Sequence, residues 1–353
     1  MEAALKTEFV TDDSDQTLRN EVHMLRIMQW SKSYCKLYSA RRLDWGGQKV
    51  NIMVMSLCDR PISRLRRMMP KRKFTKSTAA RLSYQFLEAI RDIHMCGILH
   101  RDVKASNCGW HEPSRRLLLF DLGFCRKYLE RDPQTKKLRL RTARKSAGFL
   151  GTSKYCSVFV HDEMDQGRRD DLWAWLYAIS EFFLGDLPWS NEDNTHLVSR
   201  RKHKIGSSIF LKCPREILPM YDHIRQLKFE SRPDYEMMFK KFAQMFARLE
   251  IDEFDLYDFE QGSPYYEKCY RDRKTDSETE MTSEGVETKL SRVVDVDEAP
   301  DLLSCGSLVT LNTTKSESSV GLGTRLATGL NRAFKKVWNF RKNSKKGNKA
   351  RKS

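Results

Sequence analysis

Three stretches of the chain place apolar side chains in helical patterns. In "TLRNEVHMLRIM", Leu18, Val22 and Leu25 fall on one face. Glu21, three after Leu18 and four before Leu25, lies on that same face. An unpaired carboxylate on a buried face is very costly, so the pattern demands a cation opposite Glu21. "TAARLSYQFLEAIRDIHMCG" reads as an amphipathic helix through Leu82, Phe86, Ile90 and Ile93, stopped at Gly97. "DDLWAWLYAISEFFLGDLPW" is apolar on nearly every side. Its leading pair, Asp170 and Asp171, suits a helix N-terminus, and Gly185 suits its end. Such a helix is expected to run through the middle of a helical lobe. Between these last two, "RRLLLFDLGF" holds a short apolar strand, Leu117 to Phe120.

The pattern lapses near residue 268. From "RDRKTDSETEMTSEGVETK" onward the chain is rich in Ser, Thr and acids and poor in aromatics, a composition that cannot offset the entropy of ordering. Residues 1–268 are therefore expected to form the folded domain and 269–324 a disordered acidic linker. In the final segment, 325–353, Leu326, Leu330, Phe334 and Trp338 recur every four residues, with Arg332, Lys335, Lys336 and Arg341 between them. A basic amphipathic helix of this kind suits an anionic membrane surface, a calmodulin-like partner, nucleic acid or a nuclear address; the plainer reading is a solubilising tail.

Composition changes this picture little. The chain has 353 residues and a formal net charge of +17, but 325–353 carries eleven Lys and Arg and no acid, leaving +6 for the rest. The basic balance thus belongs mainly to the tail. No apolar run approaches the roughly 20 residues of a membrane span, and the N-terminus lacks the basic start and apolar core of a secretory signal. Nine cysteines without a C-x-x-C pair suit reduced thiols and a cytoplasmic, or nuclear, location.

The chemistry gathers around "GILHRDVKASNCGW". Asp102, Lys104 and Asn107 follow a helix-ending Gly, and Asp121 and Gly123 follow the next strand. Phosphoryl transfer needs a carboxylate to accept the substrate hydroxyl proton, cations on the phosphates, and hard oxygen ligands for Mg²⁺. Asp102 suits the base, Lys104 the cation on the transferred group, and Asn107 with Asp121 the metal ligands. An HRD triplet alone is weak; HRD-x-K-x-x-N followed by a strand and D-x-G is strong.

This pattern resembles the eukaryotic protein-kinase superfamily, whose signature is H-R-D-L-x-x-x-N and then D-F-G. The Lys two after Asp102 is typical of the serine/threonine class. "AGFLGTSKYCSVFVHDEMDQGRRDDLWAWLYAISEFFLGDLPW" is similar to the casein kinase I group, and most to tau-tubulin kinase-like members, which carry GT-x-x-Y-x-S where most kinases have A-P-E. "SRPDY" and "DLYDFEQG" extend the resemblance to about residue 262. It implies an α+β, bilobal fold with a sheet-containing N-terminal lobe, a helical C-terminal lobe and ATP between them. It also implies that Lys6 is the strand lysine that meets the phosphates and Glu21 its partner. Met55 becomes the gatekeeper, and Ser56, Leu57 and Cys58 the hinge that reads adenine. Thr152 braces Asp102 and Lys104, and Asp171 orders the catalytic loop.

Two features depart from the family. DLG replaces DFG, with Leu122 keeping the apolar contact. Only five residues precede Lys6, so the two strands and Gly-rich loop of the family are expected to be absent and the N-terminal lobe to be truncated. The leading expectation is an ATP- and Mg²⁺-dependent serine/threonine kinase; the alternative is a catalytically weak pseudokinase acting as a scaffold. Lys154 and the basic run 126–145 suit acidic or already phosphorylated protein substrates, against the plainer reading of a solvated loop. Cys58 reads as inert packing.

Overall fold

The computed structural model describes residues 2–10, 17–270 and 293–295. The basic tail and most of the linker lie outside them. The chain folds as a small twisted sheet with one helix, set against a larger helical body, so the expected mixed, bilobal architecture is present.

In the sheet, β1 (Glu2–Phe9) and β2 (Leu37–Trp45) each run antiparallel to β3 (Gln48–Ser56). β2 and β3 are joined by the pair Gly46 and Gly47, both at positive φ, as a two-residue hairpin requires. Met53 and Met55, two apart on β3, point to one face and are buried beneath α1 (Thr17–Ile27). The register sets Lys6 opposite Met53 and Ala4 opposite Met55. The fourth strand, β10 (Val293–Asp295), comes from the segment expected to be unstructured. It pairs antiparallel with β1, from Glu2 opposite Asp295 to Ala4 opposite Val293. The outer edge of β1 is therefore covered at residues 2–4, and the described pairing stops short of Lys6.

The helical body is built around α3 (Lys76–Met95) and α5 (Arg168–Leu184). The side chain of Thr75 caps α3 by accepting from the amide of Thr78. α5 is buried from Arg169 to Phe183, as its unbroken apolar pattern predicts. Trp175 is wholly buried and donates its indole N–H to the carbonyl of Ser83, 3.2 Å away, which pins α5 to α3. Around this pair pack α2 (Ile62–Met68), α4 (Val158–His161), α6 (Thr195–Ile205), α7 (Ile217–Gln226) and α8 (Tyr235–Leu249).

Short strands lie where the two parts meet: β4 (Ile98–Leu99) with β7 (Arg126–Lys127), and β5 (Cys108–His111) with β6 (Arg116–Leu119). The basic run 126–145, read as a contact for acidic substrates or as a solvated loop, contains an exposed hairpin, β8 (Leu129–Arg131) with β9 (Leu138–Leu140). It is turned by Asp132, which accepts the amides of Gln134 and Thr135. No helix among the described residues is long and apolar enough to cross a membrane.

Candidate active site

The cation demanded by Glu21 is Lys6. Glu21 projects from the buried face of α1, and Lys6 reaches it from the neighbouring strand β1 with Nζ 2.6 Å from Oε2. The same ammonium lies 3.5 Å from Asp121 Oδ1. Burial alone would lower the Lys6 pKa, but the two carboxylates raise it on balance, so the lysine stays charged. Burial pushes Glu21 up, and Lys6 pulls it back.

The loop after β4 carries the second half of the site. Thr152 Oγ1 donates to Asp102 Oδ1 at 2.7 Å, Lys104 Nζ sits 2.8 Å from Oδ2, and Asn107 Nδ2 donates to Oδ2 at 3.2 Å and to the Asp102 carbonyl at 3.0 Å. Lys104 also donates to Thr152 Oγ1 at 3.2 Å, closing the ring. Both carboxylate oxygens are thus held by donors, which fixes the orientation of Asp102. The Asn107 amide spends its N–H groups on Asp102, and its carbonyl oxygen takes no donor from the described residues. With Asp121 it offers two hard oxygens, a donor set that fits Mg²⁺. Asp121 sits at φ 62°, a left-handed conformation that Asp tolerates better than most residues.

The loop is anchored from below by Asp171, in the first turn of α5. Its oxygens accept the amides of His100 at 2.7 Å and Arg101 at 2.8 Å, and the Nε2–H of His94 at 2.8 Å. Burial would raise the Asp171 pKa, but His94 and these donors bring it below the ordinary carboxylate value. Burial also lowers His94, so the neutral imidazole donates to Asp171 and accepts from the Tyr235 hydroxyl.

Met55 is buried at the end of β3, and Ser56, Leu57 and Cys58 run on from it as the connector between the two parts. The connector is fastened at both ends: Ser56 N–H to the Lys36 carbonyl at 2.8 Å, and Asp59 N–H to the Trp110 carbonyl at 2.7 Å. Cys58 lies over Gly109, where an added Cβ would meet its Cβ at 2.5 Å. Its sulfur is 3.8 Å from that of Cys35, and the contact with Cys35, with burial, pushes its thiol pKa up. Lys154 departs from the expectation of a cation free to meet an anion. Its ammonium is 2.6 Å from Oε1 of the wholly buried Glu181, which it neutralises together with the Arg66 guanidinium at 3.4 Å.

Three further residues shape the site. Glu181 also accepts from the Tyr155 hydroxyl at 2.7 Å. Asn20 donates from α1 to the carbonyls of Gly123 at 2.9 Å and Cys125 at 3.2 Å. Lys202 reaches the segment beside Thr152 from α6. The signal for Glu181, an acid within the apolar body of α5, was present in the sequence.

Residues 3–250 match the protein kinase domain family. The chain belongs to the protein kinases. It is 32% identical over 261 residues, 73% of its length, to a probable serine/threonine-protein kinase of Dictyostelium discoideum, of which the match spans 51%. It is 31% identical over 199 residues to a putative casein kinase I of Caenorhabditis elegans, covering 56% of this chain and 54% of that one. A C. elegans protein named an inactive tau-tubulin kinase matches at 30% over 236 residues, 63% of this chain and 80% of that one. This kinase therefore falls with the casein kinase I group and its tau-tubulin kinase-like members, and spans about half the length of the Dictyostelium relative. The family uses ATP and a divalent metal, and the oxygens of Asn107 and Asp121 are the residues here that suit the metal.

Proposed function

We propose that this kinase transfers the γ-phosphoryl group of ATP, with Mg²⁺, to serine or threonine hydroxyls of proteins, with acidic or already phosphorylated chains as substrates. The observation that carries this reading is the ring of Asp102, Lys104, Asn107 and Thr152. Asp102 accepts the hydroxyl proton as the hydroxyl oxygen attacks phosphorus and the bond to the bridging oxygen of ADP breaks. Lys104 offsets charge on the transferred group, Lys6 holds the phosphates, and bound ATP and Mg²⁺ supply the leaving group and charge neutralisation. The connector 56–58 presents its backbone to the adenine.

The test compares the parent protein with Asp102→Asn, which keeps the shape of the side chain and removes the base. Turnover on an acidic peptide should fall by about 10²–10⁴-fold with little change in the thermal shift produced by Mg-ATP. Equal turnover in the two proteins overturns the assignment. The scaffold reading draws on the relative named inactive. It predicts that the parent incorporates no more phosphate than Asp102→Asn, while still binding partners.

A further inference from the structure

Lys202 lies in α6 with only 3% of its surface exposed, yet no carboxylate of the described residues pairs with it. Its ammonium donates to the carbonyls of Ser153 and Cys156, both at 2.6 Å, and stands 3.2 Å from His161 Nε2. The rings of Tyr177 and Trp189 lie 5.1 and 5.7 Å away, within cation–π range. Burial lowers the Lys202 pKa to about 8, and burial with the nearby Lys202 lowers His161 to about 4, so the imidazole is neutral and free to accept. Burying an ammonium without an anion is costly, and an apolar side chain would fill this space at less cost. What the lysine adds is its grip on two peptide carbonyls.

Those carbonyls belong to the turn that follows Thr152. The amides of Tyr155 and Cys156 both return to the Thr152 carbonyl at 2.9 Å, so the turn and the Thr152 backbone move together. Thr152 in turn carries the hydroxyl that holds Asp102. Here the sequence has GT-x-x-Y-x-S in place of A-P-E. We propose that Lys202 is a positioning residue for the protein substrate: its ammonium sets the Gly151–Ser157 segment at the height where Thr152 reaches Asp102. The inference rests on the kinase reading above. It assigns Lys202 no contact with the substrate itself. Other ties, Trp189 Nε1–H to the Lys154 carbonyl at 2.8 Å and the Glu181 pairings, keep the segment attached when Lys202 is removed.

The full chain is compared with Lys202→Met and Lys202→Arg by hydrogen–deuterium exchange and steady-state kinetics. In K202M the amides of 152–157 should exchange about ten-fold faster, with α5 protection unchanged. The KM for an acidic peptide should rise by about ten-fold, with the KM for ATP within about two-fold of the parent. K202R, which keeps charge and donors, should recover part of both effects. Unchanged exchange at 152–157 in K202M overturns the proposal. So does a loss spread equally over peptide KM, ATP KM and α5 protection, which is the mark of a lysine that only supports the fold. Should K202M not fold, K202R carries the test: parent-like exchange with a raised ATP KM refutes the proposal, and faster exchange confined to 152–157 supports it. Exchange is read without turnover, so an inactive parent protein speaks against the kinase reading alone.

Discussion

The site depends on a few polar side chains with several bonds each. Thr152 is the clearest case, since its hydroxyl donates to Asp102 and accepts from Lys104. Thr152→Val keeps the shape and removes both bonds, so turnover should fall by about ten-fold or more while the Mg-ATP thermal shift stays near that of the parent. Lys6→Met acts on the other partner: the thermal shift with Mg-ATP should shrink, and a full shift would exclude Lys6 from the phosphate site. Glu21 shows how such residues become legible. A carboxylate on an apolar helical face announces a missing cation, and the structure supplies Lys6. The same argument applied to Glu181 calls for a cation, which the structure supplies as Lys154 and Arg66. Asn20 had no comparable signal, because an exposed-looking amide gives no hint that its acceptors lie 103 and 105 residues away.

At the scale of elements, periodicity predicted α1, α3 and α5, and for α3 and α5 a glycine marked the stop. The short pieces were harder to read. β8 and β9 have three residues each and little apolar contrast, and β10 rests on backbone pairing with a distant strand, which side-chain order does not encode. The packing of the connector onto β5 also escaped the sequence, yet it has a sharp consequence. Gly109→Ala would drive a methyl into Cys58, and the strand and connector have to part. ATP affinity should fall several-fold while α3 and α5 keep their exchange protection. Parent-like affinity would mean that the connector yields without harm. In α5, Trp175→Ala should cost about 3–5 kcal/mol in urea unfolding, because a fully buried indole is lost from between two helices.

The whole molecule has a predictable response to acid. His94 is held below the usual imidazole value by burial, and His161 is lowered to about 4. Their folded pKa values lie below the unfolded value of about 6.5, so the unfolded chain binds more protons as the pH falls through that value. The stability they confer is complete above about pH 6.5 and is lost on the way down to their folded pKa values. Asp171, also depressed, acts in the same direction lower down: its contribution is present above about pH 4 and disappears as the pH falls through its folded value. Urea midpoints at pH 7.5, 6 and 4.5 should decline in that order; a midpoint constant across the series would contradict these assignments.

The bonds from Asn20 carry a thermodynamic consequence. They tie α1 to the carbonyls of Gly123 and Cys125, just beyond Asp121, while Lys6 bridges Glu21 and Asp121. The helix and the loop that carries Asp121 are therefore coupled in their placement. For a nucleotide that binds best to this placement of α1, any ligand that favours the same placement tightens its binding, and the nucleotide tightens that ligand by the same factor. A protein gripping the outer face of α1 would act as an effector of the cleft without entering it.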